Sequence, residues 1–120
     1  MAGEDGKGEA TAPAADPEGE PIRGRRPPEE TLVITDPEAV PALFHEKRLA
    51  IMRLLVSGEF KIVQLKEVLR MNPGTVKRHL EVLLQHGLVV PPRVVVNKYG
   101  IREKYYVAAA KRFKVRIDWP

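Results

Sequence analysis

The stretch Gln64–Val90, QLKEVLRMNPGTVKRHLEVLLQHGLVV, decides the fold. Two short helical patterns meet in it at a polar junction. The first, over about Val63 to Arg70, turns Leu65, Val68 and Leu69 inward, and Met71 plugs the core at the turn. The second opens at Asn72-Pro73. Asparagine can cap the free N–H groups of a helix start, and proline fits the first helical position, where no donor is needed. Val76, Leu80 and Leu83 form its inward face, and Gly87 ends it. A β-branched run begins at Leu88. Pro91-Pro92 interrupts it, and since proline lacks the ladder donor, a bulge or an edge position is needed there. Arg93–Val96 resumes the strand, Asn97–Arg102 forms a hairpin loop, and Lys104–Val107 returns.

Upstream, Thr31–Thr35 is β-branched and reads as a short strand. Asp36-Pro37 then starts a helix running to about Phe44, with Asp36 as cap. Pro41 falls early enough in that helix for its missing N–H to be tolerated. A further helix covers about Glu46 to Val56, with Leu49, Met52 and Val56 in a stripe widened by Ile51, Leu54 and Leu55, as suits a central core helix. Gly58 is expected to close it in a left-handed cap. Phe60-Lys61-Ile62 fits a one-bridge strand. Downstream, Phe113, Val115, Ile117 and Trp119 alternate with Lys114, Arg116 and Asp118, the period of a half-buried strand. This strand and Thr31–Thr35 are natural partners, within the chain or across a dimer, with Trp119 as an aromatic anchor.

These elements predict an α+β, mainly helical fold: a winged helix-turn-helix with a β-hairpin wing and an additional C-terminal strand. Residues 1–30 hold five Gly, five Pro and few large apolar side chains, so they are expected to form a disordered tail. Within it, Arg23-Gly24-Arg25-Arg26 fits either a solvated linker or a basic arm for a minor groove. Residues 31–110 make the folded domain, and 111–120 the C-terminal strand.

Charge divides along the same line. Residues 1–30 carry eight acids and four bases, a balance of −4, whereas residues 31–120 carry sixteen bases and eight acids, a balance of +8. A basic folded part fits a nucleic-acid partner. There are no cysteines, which excludes disulfides and thiolate metal sites, and the three histidines are scattered. No run approaches the ~20 apolar residues of a membrane span, and the acidic start lacks a signal-peptide core, so a cytoplasmic protein is expected.

Phe44-His45-Glu46-Lys47-Arg48-Leu49-Ala50-Ile51-Met52-Arg53-Leu54-Leu55 resembles the His-x-x-Arg-(apolar)-x-Ile-Leu opening helix of ArsR-type winged-helix repressors. Gln64–Leu69, Asn72–Leu80, and Leu83 with Gly87-Leu88-Val89 are similar to that family's helix-turn-helix and its exit into the wing. The resemblance covers roughly residues 36–108 and implies a DNA-binding regulator. Three departures stand out. The family's metal sensors use cysteines or His/Asp clusters, and cysteine is absent here. Arg70 takes a turn position that is often glycine, so a left-handed backbone is expected there. The family usually ends in a dimerising helix, where Lys111–Trp119 reads as a strand.

In such folds the start of the second helix meets base edges. The outward residues of that helix are Gly74, Thr75, Lys77, Arg78 and Glu81. Arg78 suits guanine, Thr75 a thymine methyl or phosphate, and Lys77 a phosphate; Gly74 allows close backbone approach. His79 matches the histidine of the family's recognition helix and reads as a packing or phosphate-contacting residue rather than a metal ligand. The wing offers Lys98, Tyr99, Arg102 and Lys104, with Tyr105 interleaved. Lysines on an edge hairpin also guard against aggregation, and the two roles are compatible.

The function expected is sequence-specific regulation of transcription on double-stranded DNA, by a homodimer on a palindromic site. The alternative is a winged helix used as a protein-interaction or nonspecific DNA-binding module, with a protein partner on the C-terminal strand. No catalytic constellation, cofactor motif or metal site is read, so no enzyme is expected.

Overall fold

The computed structural model describes residues 28–118. The elements follow in the order β1 (Glu29–Ile34), α1 (Ala39–Leu43), α2 (Glu46–Ser57), α3 (Ile62–Leu69), α4 (Pro73–Gln85), β2 (Arg93–Val96), β3 (Arg102–Tyr105) and β4 (Ala110–Val115). Helices α2, α3 and α4 enclose a core of Ile51, Leu55, Leu65, Val76, Leu80 and Leu83, roofed by Leu88, Val89 and Tyr106. Each of the six is almost wholly removed from water, and fully burying such a side chain stabilises by ~1.5–3 kcal/mol.

The termini of α4 form as its sequence directs. Asn72 Oδ1 accepts from Gly74 N at 2.8 Å, and Pro73 occupies the first turn. Gly87 takes φ 72°, a left-handed conformation that glycine adopts without a Cβ clash. Arg70, at the end of α3, has φ 55° and ψ 48°, and is the one non-glycine residue with positive φ among the described residues.

Several boundaries differ from the sequence reading. Helix α1 starts at Ala39, because Pro37 and Glu38 form a turn in which Asp36 Oδ1 accepts from Glu38 N at 3.0 Å. Gly58 is extended, with φ 165° and ψ −165°, and not left-handed. The chain leaves α2 straight towards the bridge between Phe60 and Tyr106, while Ser57 Oγ donates to Leu54 O at 2.6 Å. Helix α3 starts at Ile62, where the Gln64 side chain accepts from Lys61 N at 2.8 Å. Val68, read as inward, is 56% exposed: α3 has eight residues and buries fully only Leu65.

The two strands outside the wing pair with each other in parallel within the chain, from Glu29 opposite Ala110 to Ile34 opposite Val115. Glu29 and Glu30, placed in the tail by composition, join β1 because Glu29 N donates to Ala109 O at 3.0 Å. Ile34 is buried and Leu32 and Phe113 pack against the core, but Val115, expected inward, is 43% exposed. Trp119 and the Arg23–Arg26 arm lie outside the described residues. No helix among the described residues is long and apolar enough to cross a membrane.

Candidate nucleic-acid interface

Because Val76, Leu80 and Leu83 point into the core, the opposite side of α4 faces outward. Gly74, Lys77, Arg78 and Glu81 are exposed there, and Thr75 is half-buried. A Cβ on Gly74 would stand 3.2 Å from Asn72 Oδ1, so this glycine also keeps the cap uncrowded. Glu81 lies within electrostatic range of Tyr106, at the base of the wing. Burial, and then the Glu81 carboxylate, push the Tyr106 phenol above its usual value.

The wing is the antiparallel pair β2–β3, with Val94 opposite Lys104 and Val96 opposite Arg102. These four share the outward face and are all exposed. Asn97 shapes the tip: its Oδ1 accepts from Tyr99 N at 2.8 Å and Ile101 N at 3.0 Å, and Gly100 takes φ 78°. Tyr99 is 75% exposed, with Lys98 Nζ 5.3 Å from its ring centre. Tyr105 is a correction. It is buried on the inner face, beneath the Arg93 guanidinium at 4.5 Å, and does not join Tyr99 at the surface.

Sequence reasoning missed what fixes the wing to the body. Arg93 is only 3% exposed, and its Nε lies 2.9 and 2.8 Å from the two carboxylate oxygens of Glu59, in the α2–α3 connection. Beside this pair, Lys61 Nζ meets Glu103 Oε2 at 3.5 Å, and Asn97 Nδ2 donates to the same oxygen at 3.3 Å. Charged side chains thus set the pose of the hairpin at its root and near its tip. Only the inward parity of Arg93, two residues from Val95, hinted at this.

A second missed cluster lies behind α4. Arg48 Nε donates to Ala42 O, Arg48 Nη1 is 3.2 Å from His79 Nδ1, and the His45 and His79 rings are 4.9 Å apart between centres. His45 caps α2, its Nδ1 accepting from Lys47 N at 3.1 Å. Burial, reinforced by His45, Arg48, Lys47 and Arg78, lowers the pKa of His79 from its usual value near 6.5. Between α2 and the turn, a groove of about 400 Å³ is lined in part by Glu46, Lys47, Arg70, Asn72 and Thr75 and reaches the start of α4. Among the described residues no group of His, Cys, Asp and Glu side chains is arranged to hold a metal ion.

Comparison with known proteins agrees with this geometry. Residues 45–90 match the model for bacterial regulatory proteins of the arsR family. No curated protein matches the chain. Among solved structures, Rv0081 of M. tuberculosis superposes with a TM-score of 0.52 at 26% identity, over 61% of this chain and 68% of that one. A "possible transcriptional regulator for arsenical resistance" gives 0.50 at 26% identity, over 57% and 66%. The transcriptional repressor BigR from Xylella fastidiosa gives 0.49 at 27% identity, over 59% and 64%, so the chain spans less than two thirds of the last two. With its capped α4 and the match over residues 45–90, followed by an antiparallel wing, the chain carries over those residues a helix-turn-helix of the arsR type.

Proposed function

We propose that the chain is a sequence-specific DNA-binding regulator of transcription, with α4 in the major groove and the wing on the backbone or minor groove. The observation that carries this is the exposed start of α4, where Lys77 and Arg78 stand beside Gly74 on a capped helix held by a buried core. Arg78 would read a guanine, and Thr75 a thymine methyl or phosphate. Lys77 and the wing residues Lys98, Arg102 and Lys104 would meet phosphates, which fix register without carrying sequence. Tyr99 would lie against the sugar edge, and Glu81 would limit the bases accepted. The role is one of binding and not of catalysis.

A homodimer on a palindromic site goes with this reading, since symmetric dimers place two recognition helices about one turn of DNA apart. The family resemblance supports it, with β4 standing where the dimerising helix usually lies. Sedimentation of the full chain and of a chain lacking residues 111–120 tests β4 as the contact; an unchanged dimer mass without β4 would place the contact elsewhere.

The direct test is selection of genomic DNA fragments by the purified protein beside Arg78→Ala. A palindromic motif that weakens in the variant supports specific regulation. Diffuse binding, unchanged by the substitution, favours the second reading, a protein-interaction or nonspecific DNA-binding module, to which the exposed Val94, Val96 and Ile101 of the wing lend a surface.

A further inference from the structure

We propose that Arg48 and His79 form a positioning pair that holds α4 in its DNA-reading pose only while the His79 ring is neutral. The inference rests on the DNA-binding reading above. His79 lies on α4 between Val76 and Leu80, and is half-buried against the α1–α2 junction. The α1 helix is one turn long, so its last carbonyls have no partner within the helix. Arg48 takes up two of them, donating from Nε to Ala42 O and from Nη2 to Pro41 O at 3.5 Å. Its remaining arm, Nη1, reaches His79 Nδ1 at 3.2 Å. One guanidinium therefore ties α1, α2 and α4 together.

Guanidinium nitrogens only donate, so Nδ1 of His79 must accept and the ring proton sits on Nε2. Protonation would place a second donor against Nη1. The permanent charges facing the ring are all cationic: Lys47 and Arg48 from α2, and Arg78 from α4 itself, with the His45 ring of the α1–α2 connection beside them. Helix α1, Ala39–Leu43, contains no ionisable side chain. A charged His79 thus meets repulsion on every charged side, and the contact changes from a tie to a wedge.

The sign separates this device from ordinary electrostatics. Protonating surface histidines adds positive charge and strengthens DNA binding as pH falls. A positioning pair weakens it. The size of a lost charge-assisted hydrogen bond corresponds to about tenfold in affinity.

The test measures affinity for the selected DNA fragment at pH 7.5, 6.5 and 5.5 at fixed ionic strength, for the wild type, His79→Asn and His79→Gln. Asparagine offers an acceptor near the place of Nδ1 and cannot be protonated; glutamine places its amide nearer Nε2. Expected are a progressive loss of up to about tenfold towards pH 5.5 in the wild type, a flat profile at wild-type affinity for His79→Asn, and weak binding throughout for His79→Gln. A wild-type affinity that is flat or rises towards acid, or an Asn variant that falls in parallel, overturns the proposal. Thermal unfolding over the same pH range supplies a readout without DNA: the wild type should lose stability relative to His79→Asn as pH falls, and a constant difference overturns the pair. If no fragment is selected at pH 7.5, the DNA-binding reading fails instead, and the unfolding comparison still decides the pair.

Discussion

Glu59 and Arg93 meet at 2.8 Å at the root of the wing, with the guanidinium over the Tyr105 ring, so the orientation of the hairpin is set by a charge pair almost withdrawn from water. The arginine is more deeply buried than the carboxylate, which keeps some contact with solvent. Removing one partner of a buried pair strands the other, and typically costs ~3–5 kcal/mol. Glu59→Ala should therefore lower the unfolding free energy in urea by about 3 kcal/mol. The double variant Glu59→Leu/Arg93→Met should recover most of that loss, and a double variant no more stable than Glu59→Ala would show that the pair is needed for more than its charges.

At the start of α4, Asn72→Ala should cost about 1 kcal/mol, because Gly74 N loses its acceptor. Gly74→Ala should show a smaller loss, since its Cβ meets only the Asn72 side-chain oxygen at 3.2 Å. Urea titration of the two variants checks the order.

Arg70 offers a gain. Its left-handed backbone costs a side chain with a Cβ roughly 1–2 kcal/mol, part of which glycine gives back as lost chain entropy. Arg70→Gly should raise the melting temperature by a few degrees at neutral pH. An unchanged or lower value would mean that the arginine side chain makes up for its backbone.

Tyr106 sets an alkaline limit. Its phenol titrates above the usual value near 10 when folded, chiefly through burial and then through Glu81. A raised folded-state pKa contributes stability that is complete below the unfolded value and is lost as pH rises through the folded one. The wild type should thus lose stability from about pH 10 upwards, and Tyr106→Phe should lose less. Chemical denaturation at pH 8, 10 and 11 checks this.

DNA contacts separate by salt dependence. Lys77→Ala and Lys104→Ala should each reduce the slope of log affinity against log salt by about one. Arg78→Ala should also relax base preference at one position, at a cost of about 1–3 kcal/mol. Loss of affinity without any change of preference would make Arg78 a phosphate contact.

Much of the framework could be read from local chemistry. Asn72-Pro73 and Gly87 bracket α4, and the apolar spacing of Val76, Leu80 and Leu83 orients it, so the exposure of Lys77, Arg78 and Glu81 follows. The pairing of Thr31–Thr35 with the last strand was also legible, from two apolar faces lacking other partners; its parallel, in-chain form was not, since composition says nothing of direction. Gly58 shows the limit of a residue-type rule, because the demand of the Phe60–Tyr106 bridge for extended chain prevailed over the glycine's freedom to turn left-handed. The Glu59–Arg93 and Arg48–His79 contacts were out of reach for a different cause. Each joins side chains far apart in the chain, and a single charged residue carries no sign of its partner.

The parallel pairing of β1 with β4 means that the helix-turn-helix and the wing are threaded between two neighbouring strands, and residue 29 finds its mate only at residue 110. Such a closure lies late in folding, after the long loop has been shortened by the structure inside it. On a ribosome, the helices and the hairpin would emerge and dock first, while β1 waited, its apolar side bare, for the final strand to clear the exit tunnel.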